Sequence, residues 1–143
     1  MRVGNMNNCD YSLDQHVLER LNNEQVIWLT TVSFSGSPQP NPVWFYWDQE
    51  EILIYTPHDS VKLRNIAKNP RVSLHFEGAD VIGGDVVVIT GLAFIERNCP
   101  CPDPGYVQKY QEIASSQWNC TIEDLFEKYN TLIRIQLKKI RMM

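Results

Sequence analysis

Pro40-Asn-Pro-Val-Trp-Phe-Tyr-Trp47 alternates apolar side chains onto two faces, Val43, Phe45 and Trp47 on one and Trp44 and Tyr46 on the other. Period-two alternation is the mark of a strand, and apolar residues on both faces predict a strand covered on both sides. Before it, Val26-Ile-Trp-Leu-Thr-Thr-Val-Ser33 is β-branched and aromatic and ends at the turn Ser35-Gly36. After it, the polar turn Asp48 to Glu51 leads back along Ile52-Leu-Ile-Tyr-Thr56, so the region reads as a hairpin. Further strands are expected at Arg71–Glu77, at Val86–Ile95 with Gly91 at a bend or bulge, and at Leu132–Ile140.

Helices punctuate this run. Ser12 and Gln15 have capping-box spacing ahead of Leu13, Val17 and Leu21, predicting a helix over Ser12–Asn22. Ser60–Lys68 reads as a short helix ended by Asn69-Pro70. Asp103-Pro104 supplies an N-cap and a first-turn proline for a third helix, and a fourth starts at Thr121. Gly78–Asp85, with Gly83-Gly84, reads as a loop, and residues 1–11 as a flexible N-terminal segment. Six strands, mostly sequential neighbours, favour a mainly β fold, an antiparallel barrel with short helices, over a doubly wound sheet.

The chain has 143 residues, which fits one domain spanning 1–143. With 43% hydrophobic and 21% charged residues it is composed like a globular protein that folds without disulfides. A net charge of −4 argues against a general nucleic-acid binder. No run is long and apolar enough for a membrane span, and the start lacks the apolar stretch of a signal peptide, so a cytoplasmic location is expected. Cys9, Cys99, Cys101 and Cys120 then read as free thiols, and Cys99-Pro-Cys101 lacks the C-x-x-C spacing of zinc or redox sites. The three histidines, His16, His58 and His75, have no ligand spacing, so no metal site is expected. Phosphate-loop, dinucleotide and nucleophile-elbow signatures are absent.

Charge is unevenly placed. Ser60–Arg71 holds Lys62, Arg64, Lys68 and Arg71 with no acid, and Lys128–Met143 holds five more bases with none. The remainder holds all 17 acidic residues against four basic ones, a net −13. Lys62 in the first turn of a helix opposes the helix dipole by ~0.3–1 kcal/mol. A bound phosphate reverses that sign, because backbone N–H groups, the Ser60 hydroxyl and the Lys62 ammonium would converge on one anion. The alternative is an N-cap Ser60 followed by a solvated basic face.

Four blocks stand in order: Trp28-Leu-Thr-Thr-Val32, Gly36-Ser-Pro-Gln-Pro-Asn-Pro-Val-Trp-Phe45, Tyr55-Thr-Pro-His-Asp-Ser-Val-Lys-Leu-Arg-Asn-Ile66 and Asn69-Pro-Arg-Val-Ser-Leu74. Together with Gly83–Gly91 and the basic closing strand, they resemble the pyridoxamine-5′-phosphate-oxidase-like FMN-binding split-barrel family, over roughly residues 24–140. The similarity is greatest to its small branch of deazaflavin (coenzyme F420)-dependent enzymes.

The resemblance implies a six-stranded split barrel that dimerises around two flavins. Family positions for the flavin phosphate fall on Ser60 and Lys62, with Arg64 as a further candidate. The ring would lie along Pro42, Val43, Trp44 and Phe45 and along Tyr55 and Thr56, and Trp44 alternatively packs a dimer interface. Chemistry would be hydride transfer with FMN, or with coenzyme F420 as the alternative, on an unidentified small molecule. No catalytic side chain stands out, His58 being the nearest titratable group. The Asn41–Phe45 block carries no Arg, unlike true pyridoxamine-phosphate oxidases, which speaks against vitamin B6 oxidation. A flavin or haem carrier without turnover and a protein-binding barrel with an empty cleft are the readings from other classes.

Overall fold

The computed structural model describes residues 13–78 and 85–142. In chain order the elements are α1 (Gln15–Asn23), β1 (Val26–Val32), β2 (Pro38–Trp44), β3 (Tyr46–Trp47), β4 (Glu51–Thr56), α2 (Val61–Lys68), β5 (Arg71–Phe76), β6 (Val87–Glu96), α3 (Pro104–Trp118), α4 (Ile122–Phe126) and β7 (Thr131–Met142). The strands form one sheet in the order β2-β1-β5-β6-β7-β4-β3, with every pairing antiparallel. This is the curled sheet of a split barrel, mainly β with short helices. Seven strands replace the expected six because the segment expected to be one strand breaks at Phe45. Its two halves, β2 and β3, lie at opposite ends of the sheet order, so the backbone through Phe45 is the seam of the barrel.

That seam needs partners for a peptide outside the ladder, since buried backbone groups are almost always hydrogen-bonded. Helix α3 provides them. The Phe45 N–H donates to the Tyr110 hydroxyl at 2.9 Å, and the Phe45 carbonyl accepts from Lys109 Nζ at 2.9 Å and lies 2.8 Å from the same hydroxyl. Strand β2 is an edge, and its prolines at 38, 40 and 42 suit a strand with a neighbour on one side only.

Gly91 sits where the β6–β7 register shifts, and a Cβ there would meet Ile135 Cγ2 at 2.8 Å and the Gln136 carbonyl at 2.9 Å. Only a residue without a side chain permits that approach. Helix α1 starts later than its capping-box spacing suggested. Asp14 is the N-cap and accepts from the Val17 N–H at 2.9 Å. Ser12, the N-terminal segment, Cys9 and Gly83-Gly84 lie outside the described residues. Asp103 caps α3 with Pro104 in its first turn, as expected, and α4 starts after Thr121, where the structure adds a capping box between Thr121 and Asp124.

Two apolar clusters result. One fills the barrel with Phe45, Trp47, Ile54, Ile89 and Ile133, closed by Val17 and Leu21 of α1 and Leu63 and Ile66 of α2. The other lies between β4 and α3–α4 and is built on Leu53, Tyr55, Tyr106, Tyr110 and Ile122, with Trp44 and Tyr46 packed against it. Helix α3 thus covers part of the strand's outward face from within the same chain, leaving Trp44 and Tyr46 half-buried.

Candidate functional site

A cleft of about 600 Å³ opens beside the second cluster. Such a volume is in the range of small-molecule binding sites. One side is β2 at Pro42, Val43 and Trp44 together with the end of β4 at Tyr55 and Thr56. One end is the start of α2 at Ser60 and Lys62, and the other wall is α3–α4 and the segment after it. Seven of the nine residues singled out from the sequence are thus brought together. Phe45 and Arg64 are placed elsewhere: Phe45 is fully buried in the barrel, and Arg64 is exposed and donates to the Asp59 carbonyl at 3.0 Å.

The α2 end is built to stay in place. Asn65, buried on α2, donates from Nδ2 to Thr31 Oγ1 at 2.9 Å and to Gln39 Oε1 at 2.8 Å, tying the helix to β1 and β2. Ser60 is the N-cap residue, yet its side chain makes no capping bond. Its Oγ is buried and without a partner among the described residues, as is Thr56 Oγ1. An unsatisfied buried hydroxyl costs ~1–3 kcal/mol, so two on one cleft mark a place shaped for another molecule. Burial lowers the Lys62 ammonium from the ordinary lysine range, and no acid lines the cleft among the described residues to offset it. Both hydroxyls and the half-buried cation fit the phosphate end of a flavin, and the simple N-cap alternative loses its capping bond.

Stacked rings form one margin of the cleft. Trp44 lies between Tyr110, at 4.4 Å and 4°, and Trp118, at 5.3 Å and 10°. Tyr55 meets Tyr106 edge-on at 4.8 Å, accepts from the Asp103 N–H at 2.8 Å, and is pushed up to about 12 by burial. Burial also raises Tyr106 well above the usual phenol range. Both phenols are neutral at physiological pH.

Sequence reasoning missed the α3–α4 wall. Its signal was the stripe Tyr106, Tyr110, Ala114, Trp118, repeating every fourth residue along one helix face. His58 lines a separate hollow with Arg97, Cys99 and Thr131 rather than the cleft. There the Cys99 thiol is pushed up to about 11, by burial first and then by its hydrogen bond to Glu96. Cys99, Cys101 and Cys120 are free thiols. No group of three or more His, Cys, Asp or Glu able to hold a metal occurs among the described residues, and no helix there is long and apolar enough to cross a membrane.

The family profile described as pyridoxamine 5′-phosphate oxidase matches residues 13–141. No curated protein matches the sequence. Among solved structures, an F420 reductase is 25% identical with a TM-score of 0.63, over 86% of this chain and 94% of that one. General Stress Protein 26 from Bacillus anthracis is 21% identical with a TM-score of 0.64, over 88% and 89%. HutZ, the haem storage protein from Vibrio cholerae, is 16% identical with a TM-score of 0.61, over 91% and 94%. The last two are likenesses of fold.

Proposed function

Because the chain belongs to the pyridoxamine 5′-phosphate oxidase family, we propose that it is a flavin-dependent oxidoreductase binding FMN in this cleft. The observation that carries the reading is the buried, unpartnered Ser60 hydroxyl at the N-cap of α2, two residues from the half-buried Lys62 ammonium. Ser60 Oγ, Thr56 Oγ1, the first N–H groups of α2 and Lys62 Nζ hold the phosphate. Pro42–Trp44 and Tyr55 flank the ring, with the Phe45 backbone fixing their position through its bonds to α3. A bound flavin supplies the atom that gives or takes hydride, while the chain binds, orients and keeps water from it. Lys62 holds its proton toward the phosphate, so flavin affinity falls as pH rises through its lowered pKa.

The protein acts as a homodimer on this reading. The supporting surface is the outer face of the sheet, where Trp28 stacks on His75 and Phe94 is 51% exposed. Apolar surface of that kind marks interaction sites.

Deazaflavin coenzyme F420 is the second reading, favoured by the likeness to the F420 reductase. FMN is preferred because three of the cations that a longer charged tail would use are engaged elsewhere. Arg64 is bonded to the Asp59 carbonyl, Lys68 lies 5.6 Å from the Phe34 ring centroid, and Arg134 pairs with Glu51 and Glu96. The test is titration of the purified protein with FMN and with F420 side by side, with light scattering on the loaded sample. Lys62→Ala is expected to weaken FMN binding by ~10- to 100-fold, the worth of a charge-assisted phosphate contact, and Ser60→Ala by less. Unchanged FMN affinity in Lys62→Ala removes the phosphate assignment. Tighter F420 binding reverses the cofactor choice, and a mass near 16.6 kDa removes the dimer.

A further inference from the structure

Across the cleft from β2, the wall formed by α3, α4 and the residue after them is apolar and ring-rich. Tyr106, Ile122, Leu125, Phe126 and Tyr129 contribute to it. Among the described residues that line the cleft, Lys62 is the one charged side chain, and it stands at the α2 end. If the flavin phosphate takes that cation, the α3–α4 wall of the same chain offers no charged side chain among the described residues to a second anion. Moving an unpaired charge out of water is far costlier than moving an apolar ring. The phenols do not change this, because burial keeps Tyr55 and Tyr106 protonated and uncharged.

The rim adds a preference for shape. The parallel stack Tyr110–Trp44–Trp118 ends in an indole that is 60% exposed. Its inner neighbours are held by the Tyr110 hydroxyl at the Phe45 seam, so the stack is a fixed platform. A planar molecule extends it at little cost in ordering, and aromatic pairs gain ~0.5–1.5 kcal/mol beyond their area burial.

We propose that the flavin-loaded cleft takes as its second ligand an uncharged, flat, mainly apolar ring compound, seated against Trp118 on the α3–α4 wall. The inference rests on the flavin reading above and goes beyond it by naming a substrate class. That class sets a phosphorylated substrate aside on the grounds of charge.

The experiment loads the full chain with FMN by titration and then measures binding of 2-naphthol and 2-naphthyl phosphate by equilibrium dialysis. The two probes share a ring system and differ in charge. Naphthol is expected to bind at least about tenfold more tightly than its phosphate ester, with FMN retained. Trp118→Ala, at an exposed position that leaves the fold intact, is expected to weaken naphthol binding ~3- to 10-fold. Leu125→Arg supplies the missing cation and is expected to shrink the preference for naphthol. Failure to load FMN overturns the flavin reading, and this inference with it. Loaded protein that binds both probes equally, ignores naphthol or releases FMN to it overturns this inference alone.

Discussion

Strands β4 and β7 each feed two interiors of different chemistry. Ile52 and Ile54, with Ile133 and Ile135, point into the barrel, where the cluster is dominated by aliphatic side chains. Leu53 and Tyr55, with Leu132, point the other way into a cluster of tyrosines under α3 and α4. Aliphatic groups only have to exclude water, so the barrel interior is a matter of volume and fit. A buried phenol must also place its hydroxyl, so the second cluster is directional. Tyr110 uses its hydroxyl to hold the seam at Phe45, and Tyr55 uses its own to receive Asp103. The cleft opens beside this second cluster. Stability is concentrated in the aliphatic interior, whereas the positioned polar atoms lie on the aromatic side.

The comparison can be broken most decisively inside the barrel. Ile89 is fully buried there, and Ile89→Ala is expected to cost ~2–5 kcal/mol in urea unfolding, from lost transfer energy and the cavity left behind. A loss below ~1 kcal/mol would mean that the interior does not depend on close packing.

Two tyrosines sharpen it next. Tyr110→Phe strands the buried Phe45 N–H and is expected to cost ~1–3 kcal/mol. Tyr106 has no hydrogen-bond partner for its hydroxyl among the described residues, so Tyr106→Phe should stay within ~0.5 kcal/mol of the parent. Equal losses in the two variants would show that ring packing, not hydroxyl placement, decides this cluster.

Lys109 gives the smallest effect. Burial lowers its ammonium to about 8, Glu24 opposing that shift weakly, while Nζ donates to the Phe45 carbonyl and sits 3.7 Å from the Phe45 ring centroid. Between that value and the ordinary lysine pKa of 10.5, the unfolded chain holds a proton the folded chain has released, so stability rises with pH. Relative to Lys109→Met, the parent should gain stability across this window, by less than ~1 kcal/mol after solvent screening. Urea midpoints of both proteins at about pH 7.5 and pH 9.5 test this, and a difference that does not change with pH refutes it.

The two faces of Val43–Trp47 were legible because alternation is local: Phe45 and Trp47 go into the barrel, and Trp44 and Tyr46 go outward. What covers the outward pair was not, since α3 starts some sixty residues later and no short-range pattern links it to β2. The break at Phe45 was hidden for a related reason. Its side chain continues the alternation, and only its backbone leaves the ladder, held by Lys109 and Tyr110. The second basic island also changed meaning in three dimensions, because β4 and β6 bring Glu51 and Glu96 to Arg134.

The amino-acid sequence by itself determined the elements, their buried faces, the bulge at Gly91 and the pairing of Ser60 with Lys62 on one helix start. Each of these depends on neighbours within a few residues, where propensity and periodicity act. The tertiary structure alone decided that the sheet has its seam at Phe45, that α3 stacks its rings on Trp44, and that an uncharged aromatic wall lines the same cleft as Ser60 and Lys62. Those outcomes depend on contacts between segments far apart in the chain. Such contacts form only when the whole apolar surface is buried at once.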